Sequence, residues 1–419
     1  MTGAGARPRA VIIGAGIGGL AAAAGLHAAG WDVTACERAS SLEPVGSGLA
    51  LAPNGLRALD VFGAGDAVRA HAVSQEIGLR RPDGRWLVRS RTERMITDRF
   101  GDPVILLPRA RLIDALASRV PAGALALSTE VTSAGPDGRV VTAAGEIDAD
   151  LVVAADGISS AVRGALFPAH PGLRYAGFTT WRLVTPEMPA GSPPVPMAET
   201  WGRGSVFGVM PLSDGRVYCY AAAPAPAGAR SPDDELAELV RRFGGWHQPI
   251  PALLATAAPA DVLRHDVAEL AAPLPALHRG RIALLGDAAH PMTPNLGQGA
   301  CQALEDAAVL TRLTASANDS SVPGSAADAD GSAARPDGSR AAAALARYTS
   351  MRLPRTTRVV RLSHRAGRMT TWTSPPAVAL RDGLALALGR LAPTAALRGL
   401  GTIYDWRPPD GPGTATGTG

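Results

Sequence analysis

The chain has 419 residues, 46% of them apolar and 19% charged, enough for two closely packed domains around a substantial core. Its net charge of +4 is carried by scattered arginines, with no lysine anywhere, so the pI of 9.3 suits phosphate-bearing small molecules and argues against a nucleic-acid stripe. Cys36, Cys219 and Cys301 are odd in number, far apart and form no C-x-x-C, which argues against a disulfide framework, a thiol-redox motif or a metal site and fits a cytoplasmic protein.

Residues 1–10 are polar and read as no secretory signal. Val11 to Gly30 is apolar enough to imitate a membrane span, but its glycines and His27 suit a buried strand–turn–helix better, so no span is expected. Val11-Ile12-Ile13 is a β-branched strand, Gly14-Ala15-Gly16-Ile17-Gly18-Gly19 a tight turn, and Leu20 to Ala29 a helix of small residues. Trp31 to Cys36 is a second strand, ending at Glu37-Arg38. This is the setting in which G-x-G-x-x-G binds a dinucleotide. Gly14 makes the turn, Gly16 admits a pyrophosphate, Gly19 lets helix and strand pack closely, and Glu37 can accept from a ribose. FAD and NAD(P) both remain open at this point.

Ser41 to Asn54 reads as a loop that Gly46 and Gly48 free to fold over a ligand, or as a plain crossover, before a helix over 55–62. Residues 74–107 read as hairpins inserted in the nucleotide fold. Pro108 to Val120 is a helix whose Arg109 is either a phosphate or ribose contact or a solvated charge. Leu151 to Ala155 is a buried strand ending at Asp156-Gly157, with Ser159 or Ser160 placed to cap the next helix and Arg163 pointing back to the acid. Tyr175 to Pro186 and Ala198 to Ala222 hold most of the aromatic residues in alternating strands. They suggest an antiparallel sheet with one apolar, aromatic face, a wall for a planar substrate. Arg182 beside Trp181 is a candidate to hold a carboxylate or phenolate, or a surface charge. A helix over 232–243 follows, and 249–280 read as a return to the nucleotide domain.

Arg281 to Leu310 delivers Asp287 from a short strand to a loop that ends in Gly297-Gln298-Gly299 at a helix N-terminus. Such a terminus offers unpaired N–H groups and about half a positive charge. Along that helix Ala303, Leu304, Ala307, Ala308 and Val309 fall on one side, and Gln302, Glu305 and Asp306 on the other. Residues 314–340 read as a disordered insertion. A helix over 341–365 follows, and Leu380 to Leu400 is amphipathic, fit to cover the core, meet another subunit or touch a membrane.

Three separated stretches, Gly14–Gly19 with Glu37-Arg38, Asp156-Gly157 with Arg163, and Gly286-Asp287 through Gly299, occur together in this order. In these the chain resembles the single-component, group A FAD-dependent aromatic hydroxylases with the para-hydroxybenzoate hydroxylase fold, nearest the salicylate-, 3-hydroxybenzoate- and urate-hydroxylase-like subgroup. The resemblance covers residues 9 to about 365. It implies an α/β protein: a Rossmann-like FAD-binding domain in three parts (1–73, 108–173 and 261–313), a hairpin insertion at 74–107, an interleaved antiparallel substrate domain at 174–260, C-terminal helices at 341–406 and a loose tail at 407–419. It also implies that Gly14, Gly16, Gly18 and Gly19 cradle the FAD pyrophosphate, that Glu37 holds the adenosine ribose, and that Arg38 and Arg109 contact FAD. Val131 would meet the adenine through its backbone, and Asp156 and Arg163 would serve both FAD and NAD(P)H. Asp287 would bind ribityl or ribose hydroxyls, Gly297, Gln298, Gly299, Ala300 and Cys301 would lie against the flavin ring, and Gly46 to Ala50, with Gly48 and Ala50, would cover it. Two positions depart from the urate-type pattern: Arg182 replaces its substrate-binding asparagine, and Val206 replaces an arginine.

The chemistry so implied is reduction of FAD by NAD(P)H, addition of O2 to give a C4a-hydroperoxyflavin, and hydroxylation or epoxidation of an aromatic or polycyclic small molecule. Arg182, Tyr218 and Tyr220 are the catalytic candidates, His290 reads as structural, and no metal is expected. Baeyer–Villiger insertion and a redox-inactive FAD-binding protein are the alternatives. The lack of lysine disfavours flavin halogenases and amine oxidases, and the lack of paired cysteines disfavours disulfide reductases. A monomer or homodimer is expected.

Overall fold

The β-branched run near the N-terminus forms a fully buried strand, and the first domain is laid down beside it. The computed structural model describes residues 7–42, 47–72, 77–90, 92–188, 195–318, 338–391 and 393–410. In it β1 (Arg9–Ile13) leads through α1 (Ile17–Ala28) to β2 (Asp32–Cys36), which pairs with β1 in parallel from Arg9↔Asp32 to Ile13↔Cys36. Next come β3 (Gly48–Leu51), α2 (Pro53–Val61), α3 (Gly65–Arg69), the hairpin β4 (Ile77–Arg80) and β5 (Trp86–Ser90), α4 (Thr92–Phe100), β6 (Ile105–Pro108) and α5 (Arg109–Ala117). The short strands β7 (Leu125–Ala126), β8 (Val131–Ala134), β9 (Arg139–Thr142) and β10 (Gly145–Asp148) precede β11 (Leu151–Ala154) and α6 (Ala161–Leu166).

The chain then builds β12 (Leu173–Val184), β13 (Met197–Trp201), β14 (Val206–Pro211) and β15 (Val217–Pro224), followed by α7 (Glu235–Phe243) and α8 (Ile250–Ala255). It finishes with β16 (Leu263–Leu270), β17 (His278–Arg279), β18 (Ile282–Leu284), α9 (Gly299–Asn318), α10 (Gly338–Thr370), α11 (Pro375–Leu391) and α12 (Pro393–Tyr404). A six-stranded sheet, β17-β18-β11-β1-β2-β7, is parallel apart from its β17 edge and carries the main core together with α1, α2 and α9. A seven-stranded sheet has the order β16-β12-β15-β14-β13-β4-β5.

Several segments sit elsewhere than expected. Part of the 41–54 stretch is the strand β3, paired with β6 from Gly48↔Pro108 to Leu51↔Ile105, while residues 43–46, including Gly46, lie outside the described residues. The β4–β5 hairpin does not sit in the nucleotide sheet: β4 pairs in parallel with β13 and extends the second sheet. Within 249–280, β16 pairs with β12 as the other edge of that same sheet, so the chain returns to the parallel sheet only at β17. An edge strand shows an alternating pattern on either sheet, so local residues do not reveal its partner. Of the 314–340 insertion, 314–318 continue α9 and 338–340 begin α10, and 319–337 lie outside the described residues. Residues 380–400 form two helices rather than one, with Pro393 opening the second.

The expected aromatic face also divides. Trp181 and Phe207 alternate away from Arg182 and Tyr220 and lie under α7 and α8, in a separate core with Phe243, Ile250 and Leu253. Tyr218, Tyr220, Met197, Met210 and Val184 take the opposite face and meet Leu106 and Ala50 of the β3–β6 pair. A two-residue alternation sends neighbours to opposite faces, and only the tertiary fold says which face looks at the other domain.

The helix α9 is not amphipathic in the expected sense, for Gln302, Glu305 and Asp306 are all completely buried. Arg352 of α10 enters from behind: its Nε donates to Asp306 at 2.6 Å, one Nη to Glu305, and the other to the Gln302 side chain at 2.9 Å. Arg355 also holds Glu305, and Asn54 of α2 donates to Glu305 at 2.7 Å and to Gln298 at 2.9 Å. Asp306 in turn receives the Gly286 N–H at 3.0 Å and bonds His290 Nε2 at 2.6 Å. Burial alone raises the Asp306 pKa, but His290, Arg352 and the Gly286 N–H outweigh it and hold the carboxyl at about 2, below its ordinary 3.8. A depressed carboxyl stabilises the fold fully above its unfolded pKa and loses that contribution as pH falls through the folded one. Asp306→Asn is therefore expected to flatten the loss of stability between about pH 4 and pH 2. Arg352→Met, which strands two buried acids, is expected to cost about 3–5 kcal/mol in urea unfolding, and an unchanged midpoint would contradict the role given to Arg352.

Candidate active site

The glycine turn between β1 and α1 divides its work among its members. Gly14 takes φ +94°, donates its N–H to the Cys36 carbonyl at 2.8 Å, and would drive a Cβ to 2.6 Å from the Ala155 oxygen. A Cβ on Gly19 would lie 1.9 Å from the Gly14 oxygen, so helix and turn touch there. A Cβ on Gly16 would meet nothing within 4 Å. Gly16 caps α1, and its carbonyl accepts the first helical bond from Leu20 at 2.9 Å, which leaves the N–H groups of the first turn without helical partners. At the end of β2, Glu37 accepts the Ala15 N–H at 2.8 Å and the Ala39 N–H at 2.9 Å, which fixes its carboxylate beside the turn. Arg38 is exposed at the same edge, and Thr129, two residues before Val131, donates to the Glu37 carbonyl at 2.8 Å.

A second helix N-terminus complements the first, and α1 and α9 pack together. Gln302 donates to the Gln298 carbonyl at 2.8 Å to start α9, so the Gly299 and Ala300 N–H groups have no helical acceptor. Gly297, at φ +61°, and Gly299 both leave open space where a Cβ would stand. The Gln298 and Cys301 side chains turn away from it, Gln298 into the Asn54–Gln302 network and the Cys301 sulfur to 2.8 Å from where a Gly55 Cβ would be. What this stretch offers a flat ligand is backbone. Arg163 does not reach back to Asp156: its guanidinium donates to the carbonyls of Ile158, Asp287 and Ala288, tying the β11–α6 turn to the Asp287 loop. The helix cap itself is Ser160, which accepts the Arg163 N–H at 2.9 Å. One oxygen of Asp156 accepts the Val162 N–H, and the other is buried with no partner.

Asp287, in the loop that follows β18, has an exposed side chain with protein packed densely around it. Burial pushes its pKa up, against the pull of His290, Arg109, Arg182 and Arg163. Burial likewise lowers the Arg109 pKa, with Asp287 opposing and Arg182 adding to the shift. Among the described residues the Arg109 and Arg182 guanidinium groups and the Asp287 carboxylate have no hydrogen-bond or ion-pair partner. Three charged groups thus converge on one cleft without satisfying one another. Arg182 stands opposite Tyr220 in the β12–β15 register, and Gly48 brings β3 against the Tyr218 ring, where a Cβ would sit 2.6 Å away. Both tyrosines are raised above the ordinary phenol value, chiefly by burial, Tyr220 the more strongly.

These features suit a phosphate-linked dinucleotide carrying a flat ring. Two glycine-bearing helix ends leave room for it, and the orphaned oxygen of Asp156 can accept a further bond. A model of the FAD binding domain family matches residues 8–321 of the chain. The chain belongs to that family. It is 37% identical over 381 residues to aurachin C monooxygenase/isomerase of Stigmatella aurantiaca, covering 89% of this chain and 92% of the relative. It is 33% identical to 2-heptyl-3-hydroxy-4(1H)-quinolone synthase of Pseudomonas aeruginosa, covering 93% and 96%. Among solved structures, Klebsiella pneumoniae HpxO in complex with FAD and uric acid superposes with a TM-score of 0.79 at 27% identity, covering 94% of this chain and 95% of that one. This member of the family is an FAD-dependent monooxygenase that uses NAD(P)H, with the α/β architecture and C-terminal helices expected.

Sequence reasoning passed over three groups at this site. The Asn54–Gln298–Glu305 network escaped it because its members come from α2, α9 and the turn that opens α9, far apart in sequence, although two adjacent acids in an otherwise apolar helix were a signal. Glu199 accepts the Tyr220 hydroxyl and the Trp201 Nε1–H. His265, opposite Thr180, shares the Arg182 face and has its pKa lowered first by burial and then by Arg182 and Arg230. The described residues include no helix long and apolar enough to cross a membrane and no cluster of three metal-ligating side chains.

The glycines give a paired test. Gly16→Ala places a methyl where the apoprotein has open space, so thermal stability of the apoprotein should hold while FAD retention, read from visible absorbance, falls at least about 10-fold. Gly19→Ala forces the α1 turn apart and should lower apoprotein stability itself. The reverse pattern would refute the division of roles.

Proposed function

We propose that the enzyme hydroxylates a planar aromatic or heteroaromatic ring that carries an acidic oxygen, held between the β12–β15 face and the Asp287 loop. The observation that carries this is the unpartnered Arg182 guanidinium, placed on the substrate-side wall within electrostatic reach of Asp287, Arg109 and Tyr218. Arginine donates in a fork and accepts nothing, so it selects an anionic oxygen and favours the phenolate over the phenol. An ionised ring is the more electron-rich and the better acceptor of an electrophilic oxygen atom. Uric acid and a hydroxyquinolone, which appear in the names of related proteins, are rings of this kind.

In this reading Gly14, Gly16, Gly18 and Gly19 hold the FAD pyrophosphate and Glu37 the adenosine ribose, with Arg38 and Val131 at the adenine end. Arg109, Asp156 and Asp287 would hold the remaining sugar and phosphate groups, Arg163 would fix the Asp287 loop beside them, and Gly48 and Ala50 would bound the ring. When bound, FAD would supply the redox chemistry, the two electrons of NAD(P)H letting one atom of O2 go to the ring and the other leave as water. The α9 N-terminus, with Gly297, Gly299 and Ala300, would hold the ring's electron-rich edge, because unpaired N–H groups and the helix dipole favour negative charge there. The β3–β6 pair and Tyr218 keep water from the reacting centre. Tyr218 and Tyr220 remain protonated at neutral pH and act as hydrogen-bonding groups rather than bases. Three free, buried cysteines and the unlinked chain fit a reducing cytoplasm, with the protein a monomer or homodimer.

Arg182→Met is expected to retain FAD but raise KM for the aromatic substrate roughly 10- to 100-fold, as loss of a charged hydrogen bond worth about 1.5–3 kcal/mol requires. The measurement is substrate-stimulated NAD(P)H oxidation with detection of oxygenated product. Unchanged KM for every ring that stimulates oxidation would sink the assignment.

A further inference from the structure

The row of residues that carries Arg182 crosses the sheet to a carboxylate that the proposed chemistry does not use. Arg182 lies opposite Tyr220, Tyr220 opposite Gly208, and Gly208 opposite Glu199, so the four share one face. Gly208 is needed for this: a Cβ there would stand 2.1 Å from the Tyr220 ring. The ring therefore lies across β14 and reaches Glu199, to which its hydroxyl donates. The other Glu199 oxygen accepts the Trp201 Nε1–H at 2.9 Å. No cation pairs with Glu199 among the described residues. Arg381, whose guanidinium sits over the Trp201 ring at 5.3 Å, donates instead to Asp382 and to the Gly202 carbonyl. Glu199 is partly exposed, and a carboxylate accepting two bonds has lone pairs to spare.

The wall is thus polar at both ends and aromatic between them. Arg182 only donates and Glu199 in its carboxylate form only accepts. They are three strand spacings apart, about 14 Å between backbones, so a ligand that meets both must lie along the row and over the Tyr220 ring. We propose that Glu199 is a specificity-determining residue that accepts a hydrogen bond from the end of the substrate remote from Arg182. The preferred substrate is then a flat ring system with an acidic oxygen at one end and a ring N–H or amino group at the other. This rests on the reading of Arg182 given above.

The test uses the FAD-loaded enzyme with a matched pair, 4-hydroxy-2-quinolone and its N-methyl derivative, beside simple phenols that lack a second donor. Kd is read from the flavin absorbance change on titration, and kcat/KM from stimulated NAD(P)H oxidation. The N–H compound should bind about 10-fold or more tightly than its N-methyl partner. Glu199→Gln, with FAD content and melting temperature as wild type, should erase that ratio, because the amide presents an N–H of its own. Tyr220→Phe, which keeps the carboxylate, should preserve it. Equal Kd for the pair in the wild-type enzyme, preference for rings without a donor, or a ratio that survives Glu199→Gln would overturn the role of Glu199 alone. Failure of every ring to perturb the flavin would overturn the aromatic-hydroxylase reading itself.

Discussion

The site depends on one buried guanidinium. Arg352 is 1% exposed and spans Asp306, Glu305 and Gln302, three residues of the first turns of α9. Through Asp306 it reaches the Gly286 N–H and His290, which bracket the Asp287 loop, and through Glu305 it reaches Asn54 at the start of α2. The helix end that faces the cleft and the loop that delivers Asp287 are therefore braced from the same point. A buried ion pair adds little net stability compared with apolar packing, but it tolerates only one arrangement of its partners. Register is what a site made from separated segments requires.

In front of that brace the logic inverts. Behind the cleft Arg352, Arg355, Glu305, Asp306 and His290 pair with one another, whereas within it, among the described residues, Arg109, Arg182 and Asp287 have no side-chain partners. Such groups cost free energy in a partly desolvated space unless something else satisfies them. Backbone N–H groups and glycines beside them add donors and room, and neither the Tyr218 nor the Tyr220 hydroxyl is bonded to them. The arrangement makes a preorganised polar lining for a cofactor and an anionic ring.

The second sheet serves two cores with one set of strands. Its α7–α8 side is sealed by Trp181, Phe207 and Phe243, and the Trp181 indole N–H is satisfied by Glu235 at 2.7 Å. Its other side carries Arg182, Tyr218, Tyr220 and Glu199 toward the cleft. Because alternate residues are committed to a packed interior, the substrate-facing ones are held on a rigid support rather than on a loop.

Local chemistry settled much of this protein. The βαβ unit with its glycine turn, Glu37 at the end of β2, the Ser160 cap and the glycines before α9 were all legible because each depends on residues a few positions apart. What the residues alone left open is long-range. The β4–β5 hairpin and the edge strand β16 could have joined either sheet, since an alternating strand pattern carries no mark of its partner. Gln302, Glu305 and Asp306 looked like the solvent side of a helix, because the arginine that buries them lies some fifty residues further on. The division of the aromatic residues between two faces, and the meeting of Arg182 with Asp287, follow from how the sheets are stacked. A two-residue period says that neighbours part company, but only packing decides which of them reaches the ligand.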